Sequence, residues 1–234
     1  MMERCRIWVR RAPSITDRND LRLLDESERY ANQHFATEPL RARHACAHAL
    51  VRHALAQSLG REPSSLRFEP GRNKRPRLVG FSHELDFNLS HSGPYVACAV
   101  SAPGSVGIDV EAINHRMDYV RILDHVASTA ERAWLAAKGP GEARRAFLRV
   151  WVWKEAYAKA RGDGLNLPFA DITLMPRGCD FVQDLEPVGD NSDDWVFALY
   201  DVNQDASMAV AVKPRGSQSD TVSFEIMEGS ELLA

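Results

Sequence analysis

The sequence predicts an α+β protein in which one helix-and-strand unit occurs twice. Apolar residues with helical spacing are clearest over residues 41–59, which end at Gly60, and a second such segment covers residues 143–161. Each helix leads to a short strand and later to a strand rich in alanine and valine, at residues 95–100 and 208–212. This shared order indicates a duplication with a period of about 110 residues, although coincidence of common elements stays open.

A chain of 234 residues buries roughly 70% of the surface that it exposes when unfolded. That is enough for one large domain or for two small domains that share contacts. Further strand-like runs and turn-rich connections divide the chain. The strand-like runs cover residues 65–68, 87–89, 105–111, 171–174 and 195–201, and connections are expected over 138–141, 188–194 and 214–220.

Several classes of protein are disfavoured by what the sequence lacks. It has no apolar run near about 18 residues and no signal peptide at its start, so we expect a cytoplasmic protein without a membrane partner. The four cysteines are far apart and form no C-x-x-C pair, which argues against a zinc knuckle or a disulfide scaffold. The basic cluster at residues 71–77 is short, and no nucleic-acid-binding, dinucleotide or P-loop pattern occurs, so no nucleic acid partner is expected.

Charge is divided unevenly along the chain, whose formal net charge is −3. Residues 1–104 carry 16 Lys and Arg against 11 Asp and Glu, whereas residues 105–234 carry 13 against 21. A basic half joined to an acidic half suggests an anionic ligand on one side and a metal ion or a basic partner on the other. Ordinary variation in surface charge explains the same numbers equally well.

A Gly-Ile-Asp-Val-Glu strand is the first candidate for chemistry. In a strand, Ile108 and Val110 point to one face, while Asp109 and Glu111 point with Gly107 to the other. Two carboxylates about 7 Å apart on one face can lean toward one Mg²⁺ ion, which prefers oxygen ligands. Taken alone, this short motif is more typical of an exposed strand face with two solvated acids.

The second predicted helix carries the second candidate, a segment with two tryptophans and two of the five lysines in the chain. Glu155 and Lys159 are one turn apart, and Trp151 lies one turn before Glu155. A carboxylate and an ammonium aimed the same way can supply a metal ligand or general base beside a cation that binds phosphate. An ordinary Glu–Lys surface pair is the alternative, which the neighbouring tryptophan makes less favourable.

The third candidate is Phe-Asn-Leu-Ser-His-Ser-Gly at residues 87–93, which follows a strand and opens a polar turn. Backbone N–H groups, the Ser90 hydroxyl and the His91 imidazole can converge there on an anion. No acid is placed with His91, so a serine-hydrolase triad is poorly supported and a structural histidine stays open. Two basic elements precede this motif, namely Arg41 with Arg43 at the start of the first helix and the cluster that contains Lys74 and Arg75.

Together and in order, these clusters resemble the surfactin-synthetase-activating type of 4′-phosphopantetheinyl transferase. The resemblance runs from about residue 28 to the short apolar C-terminus. The matching elements are Arg43, Arg75-Pro76, F-N-L-S-H-S at 87–92, G-I-D-V-E at 107–111, W-V-W-K-E-A-Y-A-K at 151–159 and G-D-G-L-N-L-P at 162–168. The resemblance implies a monomer of two similar α+β subdomains related by pseudo-two-fold symmetry, residues 1–104 and 105–234, with coenzyme A in the cleft between them.

The resemblance also implies a reaction. The enzyme would transfer 4′-phosphopantetheine from coenzyme A to a serine of an apo acyl, peptidyl or aryl carrier protein and release adenosine 3′,5′-bisphosphate. Asp109, Glu111 and Glu155 would hold Mg²⁺ or Mn²⁺, Glu155 would also deprotonate the serine, and Lys159 would neutralise charge on the phosphate. Coenzyme A would be bound by Arg43, Lys74, Arg75, Pro76, Ser90, His91, Asp109 and Lys159.

The sequence departs from the family pattern in one segment and at one residue. Residues 30–40 supply no Lys or Arg where family members often carry them, and Arg75 replaces the commoner lysine, which keeps the charge but adds bidentate geometry. Glu131 matches an acid of the family, and residues 116–126 would either contact the carrier protein or pack as helix core. Another Mg²⁺-dependent phosphotransferase and a non-catalytic coenzyme A-binding module remain as alternative functions.

Overall fold

The computed structural model describes residues 3–71, 75–81, 85–102, 104–113, 118–177, 180–215 and 222–227. The helices are α1 (Arg18–Leu23), α2 (Glu26–Gln33), α3 (Glu38–Leu59), α4 (Val120–Val126), α5 (Thr129–Ala136) and α6 (Pro140–Arg161). The strands are β1 (Glu3–Arg11), β2 (Phe68–Pro70), β3 (Pro76–Leu78), β4 (Asp86–Ser92), β5 (Tyr95–Ser101), β6 (Gly104–Ala112), β7 (Thr173–Arg177), β8 (Asp180–Asp184), β9 (Val196–Val202), β10 (Ala206–Pro214) and β11 (Val222–Ile226).

The same arrangement of elements occurs twice, which confirms the α+β class and the predicted duplication. In each unit a 22-residue helix, α3 or α6, ends at a glycine with left-handed backbone, Gly60 or Gly162. A short hairpin follows (β2–β3 or β7–β8), and then a longer one (β4–β5 or β9–β10). The second strand of that hairpin pairs antiparallel with the first strand of the unit, so the strand orders are β1-β5-β4 and β6-β10-β9.

The two sheets pack between the two long helices in four layers. Val96, Cys98 and Val100 of β5 face α3, whereas its alternate residues face the sheet of the other unit. Strand β10 behaves in the same way, with Ala209 and Ala211 toward α6. Because both faces of these strands are covered, β5 and β10 are apolar at successive positions instead of at alternate ones.

Several predicted boundaries are corrected by the structure. Both long helices begin three residues earlier than expected, because a proline occupies the first turn of each, so the connection predicted at 138–141 ends at Gly139. Of the strand-like run at 65–68, Ser65 ends a one-turn 3₁₀ helix and only Phe68 is in a strand. In the run at 171–174, one such helix ends at Asp171 and β7 begins at Thr173. The connection at 188–194 contains 3₁₀ turns, and residues 216–220 of the last connection lie outside the described residues.

The C-terminal strand returns to the first unit. β11 pairs in parallel with β1 from Glu3↔Val222 to Ile7↔Ile226, so the first sheet has the order β11-β1-β5-β4. A division of the chain at residue 104 therefore separates the two repeated units but leaves β11 in the sheet of residues 1–104. β6 begins at this boundary, with Gly104.

Each unit also buries one cation at the same point of its long helix. Arg52 and Lys154 both stand eight residues before the glycine that ends the helix, and both are fully buried. Each binds a glutamate that closes a capping box on an earlier helix, Glu28 on α2 and Glu131 on α5. Each also donates to carbonyl groups beyond the glycine, which are those of Pro63 and Leu66 in the first unit and those of Phe169 and Ile172 in the second.

None of the helices in the described ranges is both long enough and apolar enough to cross a membrane. The two longest helices, α3 and α6, carry arginines along their length and pack on the sheets.

Candidate active site

Polar side chains of β4 join the two units along β6. β6 is the edge strand of its sheet, so its outward N–H groups have no strand to bind. Side chains of β4 replace that strand at every second residue, with a constant offset of twenty residues. The donor and acceptor pairs are Val106 N–H to Asp86 (2.9 Å), Ile108 N–H to Asn88 (2.9 Å), Val110 N–H to Ser90 (3.3 Å) and Ala112 N–H to Ser92 (3.2 Å). We call Asp86, Asn88, Ser90 and Ser92 the polar row.

The strand with the two candidate carboxylates lies directly against α6. A Cβ on Gly107 would stand 2.0 Å from the carbonyl oxygen of Ala156 and 2.5 Å from the backbone nitrogen of Ala160, so only glycine permits this approach. Asp109 follows on the same face and is buried, as the alternation of the strand predicts. The close approach brings the last turns of α6 onto Asp109.

Lys159 binds Asp109 and not its helix neighbour Glu155. Its Nζ lies 2.6 Å from Asp109 Oδ1 and 3.1 Å from both Ser90 Oγ and the carbonyl oxygen of Ile108. The Ser90 hydroxyl in turn donates to Asp109 Oδ1 at 2.7 Å. Ser90 therefore orients Asp109 and Lys159, and its oxygen is engaged by protein groups on several sides.

Burial raises the pKa of all three candidate carboxylates. Burial raises the pKa of Asp109, and the charge of Lys159 only partly offsets it. Burial also raises the pKa of Glu111 despite its hydrogen bond from Ser92, and the charge of Asp109 adds to the effect. For Glu155, burial and then the charge of Asp109 raise the pKa to about 7. Acids that repel one another in this way favour a bound cation.

Two oxygens of this group are buried without a partner. Asp109 Oδ2 and Glu155 Oε1 accept no hydrogen bond from any described residue. Such oxygens are costly unless a ligand satisfies them, and hard divalent cations prefer carboxylate oxygens. The donor set therefore fits a divalent cation, although no three His, Cys, Asp or Glu side chains in the described ranges already stand in a metal-binding arrangement.

The basic candidates of the first unit surround the turn between β4 and β5. His91 lies at the surface near Arg43, and partial enclosure together with the Arg43 charge lowers the pKa of its imidazole. Arg43 donates to the carbonyl oxygen of Gly93 at 3.0 Å. Burial and the nearby His48 lower the pKa of His44 to about 4, which adds a neutral ring to this region.

An open cavity of about 620 Å³ adjoins this turn. Its lining includes Arg43 from α3 and Arg11 from the end of β1, and the remaining lining residues carry no charge. Neither arginine has a carboxylate within 4 Å among the described residues, and Arg11 lies over the Tyr95 ring at 5.7 Å. The cavity therefore suits an anion.

The remaining predicted residues have different surroundings. The guanidinium of Arg75 is bound by backbone and side-chain groups of both units, Pro76 begins β3, and Lys74 lies outside the described residues. Glu131 is fully buried against Lys154 at 2.5 Å and does not reach the carboxylate group. Of residues 116–126, the first two are not described and most of the others form α4.

Arg11 and Ser92 are the site residues that sequence reasoning missed. Arg11 lies before the segment in which the motifs occur, and only the pairing of β1 with β5 brings it beside the β4–β5 turn. Ser92 is the third polar position of Asn-Leu-Ser-His-Ser, and the period of two places it on the same face of the strand as Asn88 and Ser90.

The fold and the site define an α+β protein of two repeated units, with an acidic centre that fits a cation and a basic cavity that fits an anion. Residues 105–210 match the model of the 4′-phosphopantetheinyl transferase superfamily. This segment of the chain, which contains Asp109, Glu111, Glu155 and Lys159, is therefore similar to that superfamily.

Individual proteins are also similar to parts of the chain. The chain is 28% identical to a 4′-phosphopantetheinyl transferase of Bacillus subtilis over 69% of each protein. It is 33% identical to the 4′-phosphopantetheinyl transferase HetI of Nostoc over 58% of this chain and 59% of that protein. A holo-(acyl-carrier-protein) synthase of Bacillus anthracis, solved in complex with CoA (3′,5′-ADP), has a TM-score of 0.40 and 18% identity over 49% of this chain and 98% of its own.

Proposed function

We propose that this protein transfers 4′-phosphopantetheine from coenzyme A to a serine of an apo carrier protein and releases adenosine 3′,5′-bisphosphate, as an enzyme of the surfactin-synthetase-activating type. The observation that carries the proposal is the arrangement of Asp109, Glu155 and Lys159, in which carboxylates that demand a cation stand beside an ammonium. Phosphoryl transfer depends on positioning and charge neutralisation more than on covalent catalysis, so these groups suffice. The names of the relatives support the same reaction.

The cofactor of this proposal is Mg²⁺, or Mn²⁺, held by Asp109, Glu111 and Glu155. The unpartnered oxygens of Asp109 and Glu155 and the raised pKa values of all three acids support this ligand set. When bound, the ion would neutralise negative charge on the pyrophosphate of coenzyme A.

The nucleotide end of coenzyme A would bind on the first unit. Arg43 and Arg11, which have no carboxylate within 4 Å among the described residues, place two charges around one cavity, where the 3′-phosphate would find bidentate donors. His91 lies near Arg43 and would add a hydrogen bond. Lys74 and Pro76 stay proposed contacts of the nucleotide, and Ser90 would act by orienting Asp109 and Lys159.

In the chemical step, the serine oxygen of the carrier would form a bond to the phosphorus that bears the pantetheine arm. The bond from that phosphorus to the bridging oxygen would break, and the electron pair would leave with adenosine 3′,5′-bisphosphate. The carboxylate of Glu155 would take the serine proton. Lys159 would keep a positive charge beside the phosphate, with its position fixed by Asp109 and Ser90.

The partner would be an acyl, peptidyl or aryl carrier protein, and we expect the enzyme to act as a monomer in the cytoplasm. Helix α4 is the proposed contact surface, because Val120 on it is 62% exposed and other apolar residues of the helix pack beneath.

The reaction is tested with coenzyme A, Mg²⁺ and a panel of apo carrier proteins of the three kinds, read by intact mass. A mass increase of one phosphopantetheine on at least one carrier is expected, and no adduct on any of them would refute the proposal. Thermal melts add a control, because coenzyme A with Mg²⁺ should raise Tm whereas ATP with Mg²⁺ should not.

The role of Glu155 is tested by Glu155→Gln, which removes the charge and the base without changing the shape. We expect kcat to fall at least about 100-fold, with an unchanged circular dichroism spectrum. Glu142→Gln is the matched control, because Glu142 is on the same helix and its only ion pair among the described residues is an exposed one with Lys138. Such a surface pair contributes little to the free energy of folding. Equal turnover of the two variants would contradict the assignment of Glu155.

A further inference from the structure

The guanidinium of Arg75 connects the two units. One terminal nitrogen donates to the carbonyl oxygen of Lys159 on α6 at 2.7 Å. The other lies 2.8 Å from Asp86 Oδ2, 2.5 Å from the carbonyl oxygen of Phe87 and 2.8 Å from that of Val106. Its partners thus belong to β4 of one unit and to β6 and α6 of the other. The planar guanidinium of an arginine has enough N–H donors to bind all of them at once.

The contact with Lys159 satisfies a carbonyl at the end of a helix. The last carbonyls of an α-helix have no N–H partner within the helix. At the end of α6, the N–H groups of Gly162 and Asp163 both bind the carbonyl of Ala158, one residue before Lys159. Arg75 therefore caps α6 from the other unit, where a positive charge is also favourable because of the helix dipole.

The side chain of Lys159 extends from α6 back to the first unit. Lys159 Nζ binds Asp109 and the Ser90 hydroxyl of the polar row. Lys159 is thus held at its backbone by Arg75 and at its tip by Ser90, and both of these residues belong to the first unit. Loss of the backbone contact would let the end of α6 move and would displace the ammonium from the carboxylates.

We propose that Arg75 is a positioning residue that fixes Lys159, and that its guanidinium is not a phosphate ligand. This inference rests on the proposed function. A phosphate would have to displace protein acceptors that already occupy both terminal nitrogens. Arg43 differs, because its only acceptor among the described residues is the carbonyl of Gly93 and it lines an open cavity.

The chain offers a matched control two residues away. Arg77 is 62% exposed and pairs with Glu69 across the β2–β3 hairpin. Arg77→Ala removes the same charge from the same segment, but it touches neither α6 nor β6 in the described structure. A difference between the two alanine variants therefore reports the contacts of Arg75 and not the net charge.

The test compares Arg75→Ala, Arg77→Ala and the wild type with coenzyme A and with 3′-dephospho-coenzyme A as donors. We expect Arg75→Ala to lower kcat at least tenfold, with KM for coenzyme A within twofold and an unchanged preference between the two donors. Arg77→Ala should match the wild type. A rise of fivefold or more in KM for coenzyme A, together with a weaker preference for it over the dephospho form, would overturn the proposal in favour of a phosphate contact.

A double-mutant cycle with Lys159→Ala tests whether Arg75 acts through Lys159. If it does, Arg75→Ala should cost less than threefold in kcat when Lys159 is already absent. The same tenfold loss in both backgrounds would contradict a positioning role. If Arg75→Ala does not fold, Arg75→Lys replaces it in the test. We expect Arg75→Lys to keep the wild-type KM and to reach only part of the wild-type kcat. A kcat equal to that of the wild type would contradict the positioning role.

Amide hydrogen exchange separates this proposal from the proposed function. If the wild type modifies no carrier protein, the proposed reaction fails, but the contacts of Arg75 remain measurable. Arg75→Ala should accelerate exchange at the end of α6 and along β6, whereas Arg77→Ala should not. Unchanged exchange in both segments would overturn the claim that Arg75 holds them together.

Discussion

Gly107 sets the distance between β6 and α6, and with it the distance between Asp109 and Lys159. The position that a side chain would occupy is filled by backbone atoms of Ala156 and Ala160, which cannot rotate away as a flexible side chain could. The hydrogen bond of 2.6 Å between Lys159 and Asp109 depends on this approach, because both residues lie next to the contact. A residue without a side chain thus controls the geometry of the charged groups.

Gly107→Ala should therefore damage both stability and activity. We expect a loss of about 1–3 kcal/mol or more in the free energy of unfolding, because overpacking against backbone forces α6 away, together with a lower kcat. Gly141→Ala is the control, because nothing lies within 4 Å of its added carbon and alanine favours a helix. Urea unfolding of both variants checks this, and equal midpoints would contradict the role of Gly107.

Arg11 carries a second prediction at the scale of one residue. Arg11→Ala should raise KM for coenzyme A about five- to tenfold and leave KM for 3′-dephospho-coenzyme A unchanged, because one charge-assisted contact is worth roughly 1–1.5 kcal/mol at a partly exposed site. Arg10→Ala is the matched control, since Arg10 pairs with Asp20 at 2.8 Å and does not line the cavity. An equal rise in KM for both donors would contradict a phosphate contact at Arg11.

Charged residues with motif spacing were the most predictable part of the site. The period of two placed Asp109 opposite Ile108 and Val110, and the structure confirms that the latter two are in the core between the sheets. The partner of Lys159 was not predictable, because Glu155 is its neighbour along the helix whereas Asp109 is fifty residues away in sequence. Arrangements of this kind depend on how the helix docks, which local spacing does not encode.

At the scale of elements, the buried cations explain how each long helix is anchored. Arg52 and Lys154 each bind the glutamate of a capping box. The same carboxylate therefore caps the start of a short helix and binds a cation within a long one. Removal of the acid would strongly destabilise the fold, because it would leave a buried charge without a partner. Burial lowers the pKa of Lys154 to about 8, and the charge of Glu131 opposes this shift.

The stability of the first unit should depend on pH through Glu28. Burial pushes the pKa of Glu28 up, but hydrogen bonds from His48, from the Asp25 N–H and from Arg52 hold it below its ordinary value of 4.5. Because the folded-state pKa is the lower one, ionised Glu28 stabilises the protein above about pH 4.5, and this contribution is lost as pH falls through the folded-state pKa.

Glu28→Gln should therefore lower Tm at pH 7, by several degrees for a loss of about 1–3 kcal/mol, and this difference should shrink toward pH 3. The exposed Glu62 supplies the control, and Glu62→Gln should follow the wild type at both values of pH. Thermal melts across this range check the prediction, and a constant difference between Glu28→Gln and the wild type would refute the titration of Glu28 as the cause.

The elements themselves were predictable in proportion to their length and periodicity. Helices α3 and α6 and strands β5 and β6 agree with the sequence patterns to within three residues. Helices α1, α2 and α5 were missed because six to eight residues carry too few apolar positions to reveal a period, although Asp25 and Glu28 form a recognisable capping box. The buried roles of Arg52 and Lys154 were also missed, since exposed helix positions favour the same residue types.

At the scale of the whole molecule, the core between the sheets belongs to neither unit alone. Ile7 and Ala97 of the first unit and Ile108 and Val210 of the second are all fully buried in one cluster. Separation of the units would expose this cluster together with the N–H groups that the polar row binds. The two repeated units are therefore expected to depend on each other for stability.

The full chain should accordingly unfold in one cooperative transition. In scanning calorimetry, the measured enthalpy should equal the van't Hoff enthalpy, because partial unfolding of one unit would leave the shared core open to water. Two resolved transitions would contradict this view and would indicate two independent domains.

The duplicated topology gives β1 and β6 equivalent places, yet their outer edges differ. The edge of β6 receives the polar row and borders the site, whereas the edge of β1 is closed by backbone pairing with β11. The positions on α3 that correspond to Glu155 and Lys159 hold His53 and Gln57. Symmetry is thus broken twice, by one added strand and by two substitutions, so within the described ranges the pairing of carboxylates with an ammonium forms beside β6 and has no counterpart beside β1.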